Sequence, residues 1–373
     1  MTWRAFLLVN EGMFELLKEA EYYKNGTDFD YGSGDGTGDV SGDSSGDMAD
    51  IVLIPRNTRL FKFVFLFSLS LISLAVNASS VDDWLDKMST AMKQQNYQGT
   101  LIIRQGDNLQ AIKVKQGVGE SESWQTLESQ SGENQIIFRK NGSVTSIFPA
   151  KKLITISTGK GVKTNKGPLH PGLPENRNKL KQYYVLTLGD EERVANKVTQ
   201  IMQMVPRDKH RYGYTFWLDK NSGLLLKCDL INNKGRVLEQ QMYSEIELLT
   251  NAPVNLIDES ELASFEKVTL SNKTDIFSKS WIAEKVPVGF MLTRSVKTDA
   301  KMPAYHMVYS DGMASVSVFI ESTNEHRGTL NGKSNMGPVN AYSAYLNGVY
   351  ITAIGEVPAS TVRMIAKSIQ PVH

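Results

Sequence analysis

Residues 212–248 read YGYTFWLDKNSGLLLKCDLINNKGRVLEQQMYSEIEL and contain the clearest strand signals of the chain. Two polar turns, at 219–223 and 232–235, separate three runs that are rich in apolar and aromatic residues. Both turns contain asparagine and glycine, which favour tight connections between antiparallel strands. The stretch therefore predicts two consecutive β-hairpins.

Further short β-like runs lie upstream of these hairpins. They read YQGTLIIR, LQAIKVKQ, ESWQTLES, NQIIFRK, VTSIFP and KLITIS from Tyr97 onward, and YYVLTLG and KVTQIMQMVP directly before the hairpins. Regular short strands with polar turns between them predict one large, strongly curved antiparallel sheet.

An amphipathic helix is predicted over 81–95, before the first strand. Ser80 followed by Asp83 is typical of a helix N-terminus. The apolar residues that follow recur at helical spacing: Val81, Trp84, Leu85, Met88 and Met92. This helix must cover one face of the sheet, and together they enclose either a packed core or an apolar cavity.

A second, smaller unit follows the large sheet. Residues 253–280 are polar and show no β pattern, so they are predicted to be a linker. Residues 281–373 contain further β-like runs, and Pro358 opens a predicted helix over 359–369. The predicted fold class is α+β, with a large domain at 79–252 and a small α+β domain at 281–373.

The N-terminal part carries the pattern of a secretory signal peptide over 51–78. Arg59 and Lys62 precede an apolar run from Phe63 to Val76, which predicts cleavage between Ala78 and Ser79. An uncleaved membrane anchor is the alternative, although a spanning helix needs about 20 residues. Residues 1–50 hold 11 acidic and 3 basic residues and read as a low-complexity acidic extension. The start of the sequence is interpreted as set too early, with translation beginning at Met48 or near Val52.

The composition after residue 78 limits the classes of function. This part has 35 basic and 29 acidic residues, a mild excess that suits an acidic partner or a phosphorylated lipid but not nucleic acid. The single cysteine, Cys228, is predicted to be buried. No histidine pair has metal-ligand spacing and no nucleophile motif is present, so no metal, cofactor or enzymatic activity is predicted.

Two sets of residues are candidates for binding. The polar stretch PRDKHRYGYTFWLD, 206–219, offers a binding surface, with a hairpin held by local Arg–Asp pairing as the alternative. Its candidate residues are Arg207, Asp208, Arg211 and Trp217. Strand alternation also suggests four residues lining an apolar cavity, and an error of one residue in register would turn them to the other face. These are Trp124, Ile136, Phe138 and Phe148.

The region 191–247 contains the motifs Arg193-Val194-Ala195, Pro206-Arg207-Asp208, Arg211-Tyr212-Gly213-Tyr214, Trp217-Leu218-Asp219 and Leu238-Glu239. The second unit contains the motifs Pro287-Val288-Gly289-Phe290, Tyr309-Ser310-Asp311-Gly312 and Gly355-Glu356-Val357-Pro358. In these motifs the chain resembles the RseB/MucB family of periplasmic regulators of sigma-E activity, and the resemblance spans residues 81–370. Asn196 departs from the small residue usual in the family.

This resemblance implies a fold and a function. The large domain would be an unclosed β-barrel like that of the lipoprotein carriers, with a helix over an apolar concavity. The protein would bind the periplasmic domain of an RseA/MucA-like anti-sigma factor and shield it from site-1 proteolysis. Mislocalised lipid or lipopolysaccharide would release it. Self-association into a homo-oligomer is left open, and a periplasmic lipoprotein or lipid carrier is the alternative function.

A basic loop could contribute to lipid recognition. Residues 159–181 are rich in lysine, glycine and proline and lack any periodicity, which is typical of a functional or disordered loop. Lys160, Lys163 and Lys166 could contact lipid phosphates, and a merely solvated loop is the alternative.

Overall fold

The structure, a computed structural model, describes residues 80–120, 122–140, 142–158, 177–254, 261–271, 280–298, 304–321 and 332–372. These residues belong to one compact unit. The predicted acidic extension, the signal peptide with its cleavage site at Ala78 and Ser79, and residues 159–176 of the basic loop lie outside the described residues.

Within its described residues, the large domain combines two helices with a sheet of twelve strands. The helices are α1 (Val81–Gln94) and α2 (Arg177–Tyr183). The strands are β1 (Asn96–Gln105), β2 (Asn108–Val118), β3 (Ser123–Ser129), β4 (Ile136–Lys140), β5 (Ser143–Phe148), β6 (Leu153–Thr158), β7 (Tyr184–Val194), β8 (Lys197–Pro206), β9 (Gly213–Asp219), β10 (Leu225–Ile231), β11 (Val237–Leu249) and β12 (Glu266–Ser271). A 3₁₀ turn, Pro149–Lys151, precedes β6.

The sheet runs in the order β12-β6-β5-β4-β3-β2-β1-β11-β10-β9-β8-β7. The two predicted hairpins are confirmed as β9–β10 and β10–β11. The pairing of β1 with β11 joins the first half of the domain to the second, with Asn96 opposite Leu249. Since β12 and β7 form the two edges and do not pair with each other, the sheet is unclosed, as predicted.

Helix α1 confirms the helix predicted over 81–95. The Ser80 hydroxyl accepts a hydrogen bond from the Asp83 backbone N–H at 3.2 Å, and the Asp83 carboxylate accepts one from the Ser80 N–H at 2.8 Å. This reciprocal capping satisfies two N–H groups that the helix itself leaves unpaired. The buried face of α1 carries Trp84, Leu85 and Met88.

These helix residues pack on one face of the large sheet, which we call the helix-covered face. Leu101, Val114, Leu127, Ile137 and Phe216 belong to this face and are buried in the same hydrophobic core. Burial of apolar side chains between a sheet and one covering helix is what the sequence pattern predicts.

The described part of the small domain contains a six-stranded antiparallel sheet and one helix. Its elements are β13 (Trp281–Ala283), β14 (Met291–Thr298), β15 (Ala304–Ser310), β16 (Ser315–Glu321), β17 (Gly332–Met336), β18 (Val339–Leu346), β19 (Val349–Gly355), α3 (Ala359–Lys367) and β20 (Ile369–Pro371). The sheet order is β14-β15-β16-β19-β18-β17, and β13 pairs with β20. Val362 and Ile365 of α3 are buried against Val318 and Ile351 of the sheet. The predicted α+β domain is confirmed, and its helix ends two residues earlier than expected.

The linker predicted over 253–280 contains structure that the sequence pattern did not predict. Residues Glu261–Ser264 form a 3₁₀ turn, and β12 then pairs with β6 in parallel. The Glu266 N–H donates to the Lys152 carbonyl at 2.8 Å, where the pairing begins. Strand β12 lies at the edge of the sheet, where a strand pairs on one side only and polar side chains are common. The apolar alternation that would predict a strand is therefore weak in β12.

Candidate functional site

The two domains meet at Arg211, in the turn between β8 and β9. Its guanidinium donates to the Asp311 carboxylate at 2.7 Å and to the Val288 carbonyl at 2.7 Å, and both acceptors belong to the small domain. Asp208 of the large domain lies 3.1 Å from the same guanidinium. The Arg211 side chain has no exposed surface. A buried arginine with two carboxylate partners ties the turn of one domain to the loops of the other.

Aromatic rings surround this guanidinium. Its central carbon lies 4.9 Å from the ring centre of Tyr183, 5.7 Å from that of Tyr184 and 5.2 Å from that of Phe290. Tyr183 packs against Gly289, whose φ of +91° is a left-handed conformation that favours glycine. A Cβ atom at Gly289 would overlap the Tyr183 ring. The glycine therefore allows the close approach of the small domain.

Burial raises the pKa of Asp311, although the Arg211 charge and the N–H groups of Met313 and Ala314 oppose that rise. Both N–H groups donate to the Asp311 carboxylate at 2.8 Å. The loop after β15 is thus organised around one carboxylate, and that carboxylate is the acceptor for Arg211. Removal of Arg211 would leave burial with less opposition and would favour the protonated carboxyl.

Further contacts join the two domains beside Arg211. We call this contact region, around residues 210–212, the interdomain junction. The Asn340 amide donates to the Tyr212 hydroxyl at 2.9 Å, and the Thr361 hydroxyl donates to the His210 carbonyl at 3.0 Å. Met313 of the small domain is buried in the hydrophobic core of the large domain. The consecutive residues 210–212 thus contact four segments of the small domain: the loops that contain Val288 and Asp311, strand β18 and helix α3.

The structure divides the predicted polar cluster. Asp208 and Arg211 pair locally, as in the alternative to a binding surface, and Arg211 also reaches the second domain. Arg207 is exposed and donates to the Lys181 carbonyl at 3.2 Å. Trp217 lies elsewhere, with its N–H 2.5 Å from the Glu192 carboxylate and its ring 3.7 Å from the Lys227 ammonium.

Sequence reasoning missed the partners of Arg211 in the small domain. Asp311 is 100 residues away along the chain, and no periodicity links the two. The available signal was the pair of motifs Pro287-Val288-Gly289-Phe290 and Tyr309-Ser310-Asp311-Gly312, which lie in loops where polar and glycine residues replace the β pattern. Those loops are the ones that close on Arg211.

The four residues predicted to line a cavity do not share one face of the sheet. Leu127 on β3 and Ile137 on β4 belong to the helix-covered face. Successive strand residues alternate between faces, so Trp124 on β3 and Ile136 and Phe138 on β4 lie on the opposite face. Trp124 and Phe138 contact each other there, with ring centres 6.4 Å apart. Phe148 lies on the helix-covered face. It is four residues after Val144 on the same strand, so both side chains point to the same face, and Val144 packs against the core. Three of the four therefore lie on the face away from the helix, and lipid binding by these residues stays a prediction.

A row of polar side chains crosses the helix-covered face near the end of α1. Tyr97, Gln116, Gln125 and Arg139 lie opposite one another on β1, β2, β3 and β4. Arg139 donates to the Gln125 amide oxygen at 3.2 Å, and Gln125 donates to that of Gln116 at 3.1 Å. Gln116 in turn donates to carbonyl oxygens at the C-terminal end of α1. Burial raises the pKa of Tyr97 to about 12. The row places a positive charge at one end of a largely apolar face.

The chemistry of the described residues offers no metal centre: nowhere in this part of the chain do three or more His, Cys, Asp or Glu side chains come together in a way that could hold an ion. None of the helices that the structure describes has the length and apolar character for a membrane crossing. Cys228 is buried, as predicted.

Comparison with known proteins matches both domains to the same family. The sequence model of the MucB/RseB N-terminal domain matches residues 80–265, and that of the MucB/RseB C-terminal domain matches residues 276–370. The sigma factor AlgU regulatory protein MucB of Pseudomonas aeruginosa is 29% identical over 308 residues, which cover 80% of this chain and 93% of that protein. The sigma-E factor regulatory protein RseB of Haemophilus influenzae is 25% identical over 309 residues, which cover 81% and 96%.

Solved structures are similar over the same region. MucB in complex with MucA(peri) aligns with a TM-score of 0.60 at 27% identity, covering 79% of this chain and 100% of that one. The MucA/MucB complex of Pseudomonas aeruginosa aligns with a TM-score of 0.61 at 27% identity, covering 78% and 98%.

Proposed function

The chain belongs to the MucB/RseB family, and we propose on that basis that it is a periplasmic negative regulator of sigma-E-type envelope stress signalling. It binds the periplasmic domain of an anti-sigma factor of the RseA/MucA kind. The similarity to MucB in complex with MucA(peri) is the single observation that carries this proposal, because it covers both domains of this chain. A regulator of this kind acts by binding, without an enzymatic step.

The interdomain junction supports a partner that contacts both domains at once. Arg211 fixes the loops at 288–290 and 311–314 relative to the turn at 207–212. A fixed orientation lowers the entropy cost of binding, because the two halves of a binding surface need not be ordered when the partner arrives.

Two finer steps belong to the same proposal. The bound protein shields the anti-sigma factor from site-1 proteolysis, and mislocalised lipid or lipopolysaccharide releases it. The half-buried Arg139 on the helix-covered face suits an anionic lipid headgroup, because a guanidinium binds phosphate oxygens through paired N–H groups. The apolar side chains beside it suit the acyl chains.

A pull-down at defined salt tests this function. The purified protein would be the bait, and the periplasmic segment of an RseA/MucA-like anti-sigma factor would be the prey, with and without lipopolysaccharide. We expect binding that weakens when lipid is added. Lipid uptake without binding of the anti-sigma segment would contradict the proposal and would indicate a lipoprotein or lipid carrier.

A further inference from the structure

Strand β7 forms one edge of the large sheet, and among the described residues it pairs with β8 alone. Its first half, 184–188, reads YVLTL and contains no charged residue, no proline and no bulge. Val185 and Thr187 of this half are exposed to solvent. Natural proteins protect a sheet edge from pairing with other chains by charges, prolines or bulges. The first half of β7 has none of these protections.

The hydrogen-bond pattern decides which backbone groups of β7 bond to β8. The Arg207 N–H donates to the Tyr183 carbonyl at 2.8 Å, one residue before the ladder begins. Pro206, opposite the first residue of β7, has no N–H group to donate. Bonded and non-bonded pairs alternate in an antiparallel ladder, so Val185 and Thr187 are the residues that bond to β8.

Leu186 and Leu188 alternate with these bonded residues, so their N–H and C=O groups face the open edge. In the part of the chain that the structure describes, no other group bonds to them from that side. Their side chains lie on the helix-covered face and pack, half-buried, against the hydrophobic core. A strand added beside them would bond to the open backbone groups and cover the exposed part of both side chains.

The second half of β7 ends this open segment. The ladder with β8 shifts register just before Glu191, and three exposed acidic residues lie there in sequence, Asp190, Glu191 and Glu192. Lys220 forms an ion pair with Glu191, whereas Asp190 forms none with any described residue. Bulges and charges are common means of ending an edge. The open segment is therefore short, and Asp190 at its end suits a basic residue of a partner.

We infer that the open edge of β7 is the docking site for an extended segment of the anti-sigma factor, which adds one strand to the large sheet. The inference rests on the proposed function, because it takes its partner from there. An extended segment suits this edge, since main-chain hydrogen bonds supply affinity and alternate side chains supply specificity. The segment places apolar side chains beside Leu186 and Leu188 and a basic residue beside Asp190.

The edge begins at the interdomain junction, which brings the small domain within reach of the same segment. Tyr183 directly precedes β7, its ring centre lies 4.9 Å from the Arg211 guanidinium, and it packs against Gly289. Two apolar residues beside this glycine are exposed, Val288 to 78% and Met291 to 53%. A segment that continues along the chain direction past Tyr183 meets these side chains. The position of the edge thus favours a partner that contacts both domains.

Proline substitution tests this edge, because proline lacks the N–H group that an added strand needs. Leu186→Pro removes an N–H that does not bond to β8, and an edge strand tolerates proline at such a position. Leu186→Ala is the matched control, since it loses the same side chain and keeps the N–H. Titration calorimetry would measure binding of the periplasmic segment of an RseA/MucA-like anti-sigma factor to both variants and to the wild type. We expect Leu186→Pro to bind at least about tenfold more weakly than Leu186→Ala, because a carbonyl of the segment loses its donor in the complex.

Amide hydrogen exchange, resolved by residue with NMR, tests the same edge in the wild-type protein. The N–H groups of Leu186 and Leu188 should exchange rapidly in the free protein and at least about tenfold more slowly in the complex. Those of Val185 and Thr187 should exchange slowly in both states, because they bond to β8. This measurement decides the question if Leu186→Pro does not fold.

The outcomes separate this inference from the proposed function. Equal binding by Leu186→Pro and Leu186→Ala, or unchanged exchange at Leu186 and Leu188, would overturn the inference and leave the proposed function standing. No binding of the segment to the wild-type protein would overturn both. Slow exchange at Leu186 and Leu188 without the segment, increasing with protein concentration, would assign the edge to a second copy of this chain and would also overturn the inference.

Discussion

Arg211 and Asp311 form an ion pair of 2.7 Å between the two domains, and neither side chain has any exposed surface. Such a pair is costly to desolvate, and its partners come from loops that are 100 residues apart. Removal of one partner leaves an uncompensated charge inside the protein. The two charges therefore compensate each other only when the domains have this orientation.

Replacement of Arg211 by methionine should destabilise the protein by about 3 to 5 kcal/mol, the usual cost of leaving a buried charge without its partner. The measurement is the free energy of unfolding in urea. Arg207→Met is the matched control, since Arg207 is exposed and bonds only to a backbone carbonyl, and it should change stability by no more than about 0.5 kcal/mol. A double variant, Arg211→Met with Asp311→Leu, should be more stable than Arg211→Met alone. Equal stability of Arg211→Met and Arg207→Met would refute the role of the pair.

Gly289→Ala should destabilise the junction for two reasons, a left-handed backbone and a Cβ atom that overlaps the Tyr183 ring. Gly348→Ala is its control, because Gly348 has a φ of +79° and open space around it. The control should cost about 1 to 2 kcal/mol from backbone strain alone, and Gly289→Ala should cost clearly more. Thermal unfolding of both variants measures the difference, and equal losses would show that the Tyr183 contact is unimportant.

His306 should make the stability of the small domain depend on pH. Burial lowers its pKa to about 4, and the Arg294 charge adds to that effect. The folded state therefore favours the neutral ring, whose Nε2 lies 3.2 Å from the Ser317 hydroxyl. The stabilisation is present above the ordinary histidine pKa of about 6.5 and is lost as pH falls towards 4. Unfolding of wild type and His306→Gln between pH 7.5 and pH 4 should show a steeper acid loss in the wild type, and parallel curves would contradict this.

The opposite placement of two phenylalanines predicts different effects on lipid binding. Phe148 lies on the helix-covered face and Phe138 on the other, and both are half-buried. If the helix-covered face takes the acyl chains, Phe148→Ala should weaken lipid binding several-fold, and Phe138→Ala should leave it unchanged. Fluorescent lipid titration measures both affinities. A larger loss of affinity in Phe138→Ala would locate the lipid on the face opposite the helix-covered face.

The basic loop gives a separate prediction about lipid-triggered release. Replacement of Lys160, Lys163 and Lys166 by glutamate should raise the lipopolysaccharide concentration needed to release the anti-sigma segment, because these charges would repel lipid phosphates. The release assay is the pull-down with increasing lipid. If release needs the same concentration as in the wild type, the loop has no part in lipid recognition.

Local sequence patterns predicted the elements whose formation depends on neighbouring residues. Ser80 and Asp83 lie in one helical turn, so the start of α1 could be read directly. The turns at 219–223 and 232–235 fixed both hairpins for the same reason. Strand β12 escaped prediction because its place depends on the free edge of β6, more than a hundred residues earlier.

Local sequence patterns were enough to predict the α+β class, the capped helix, the strand succession and the polar turn that carries Arg211. The sheet face that each strand residue occupies follows from the pairing of the strands in three dimensions, since a shift of one residue in register exchanges the faces. The same holds for the pairing of Arg211 with Asp311 and for the contact of Asn340 with Tyr212. The physical reason is that burial and charge pairing arise between residues distant along the chain, and no local periodicity records which loops will meet.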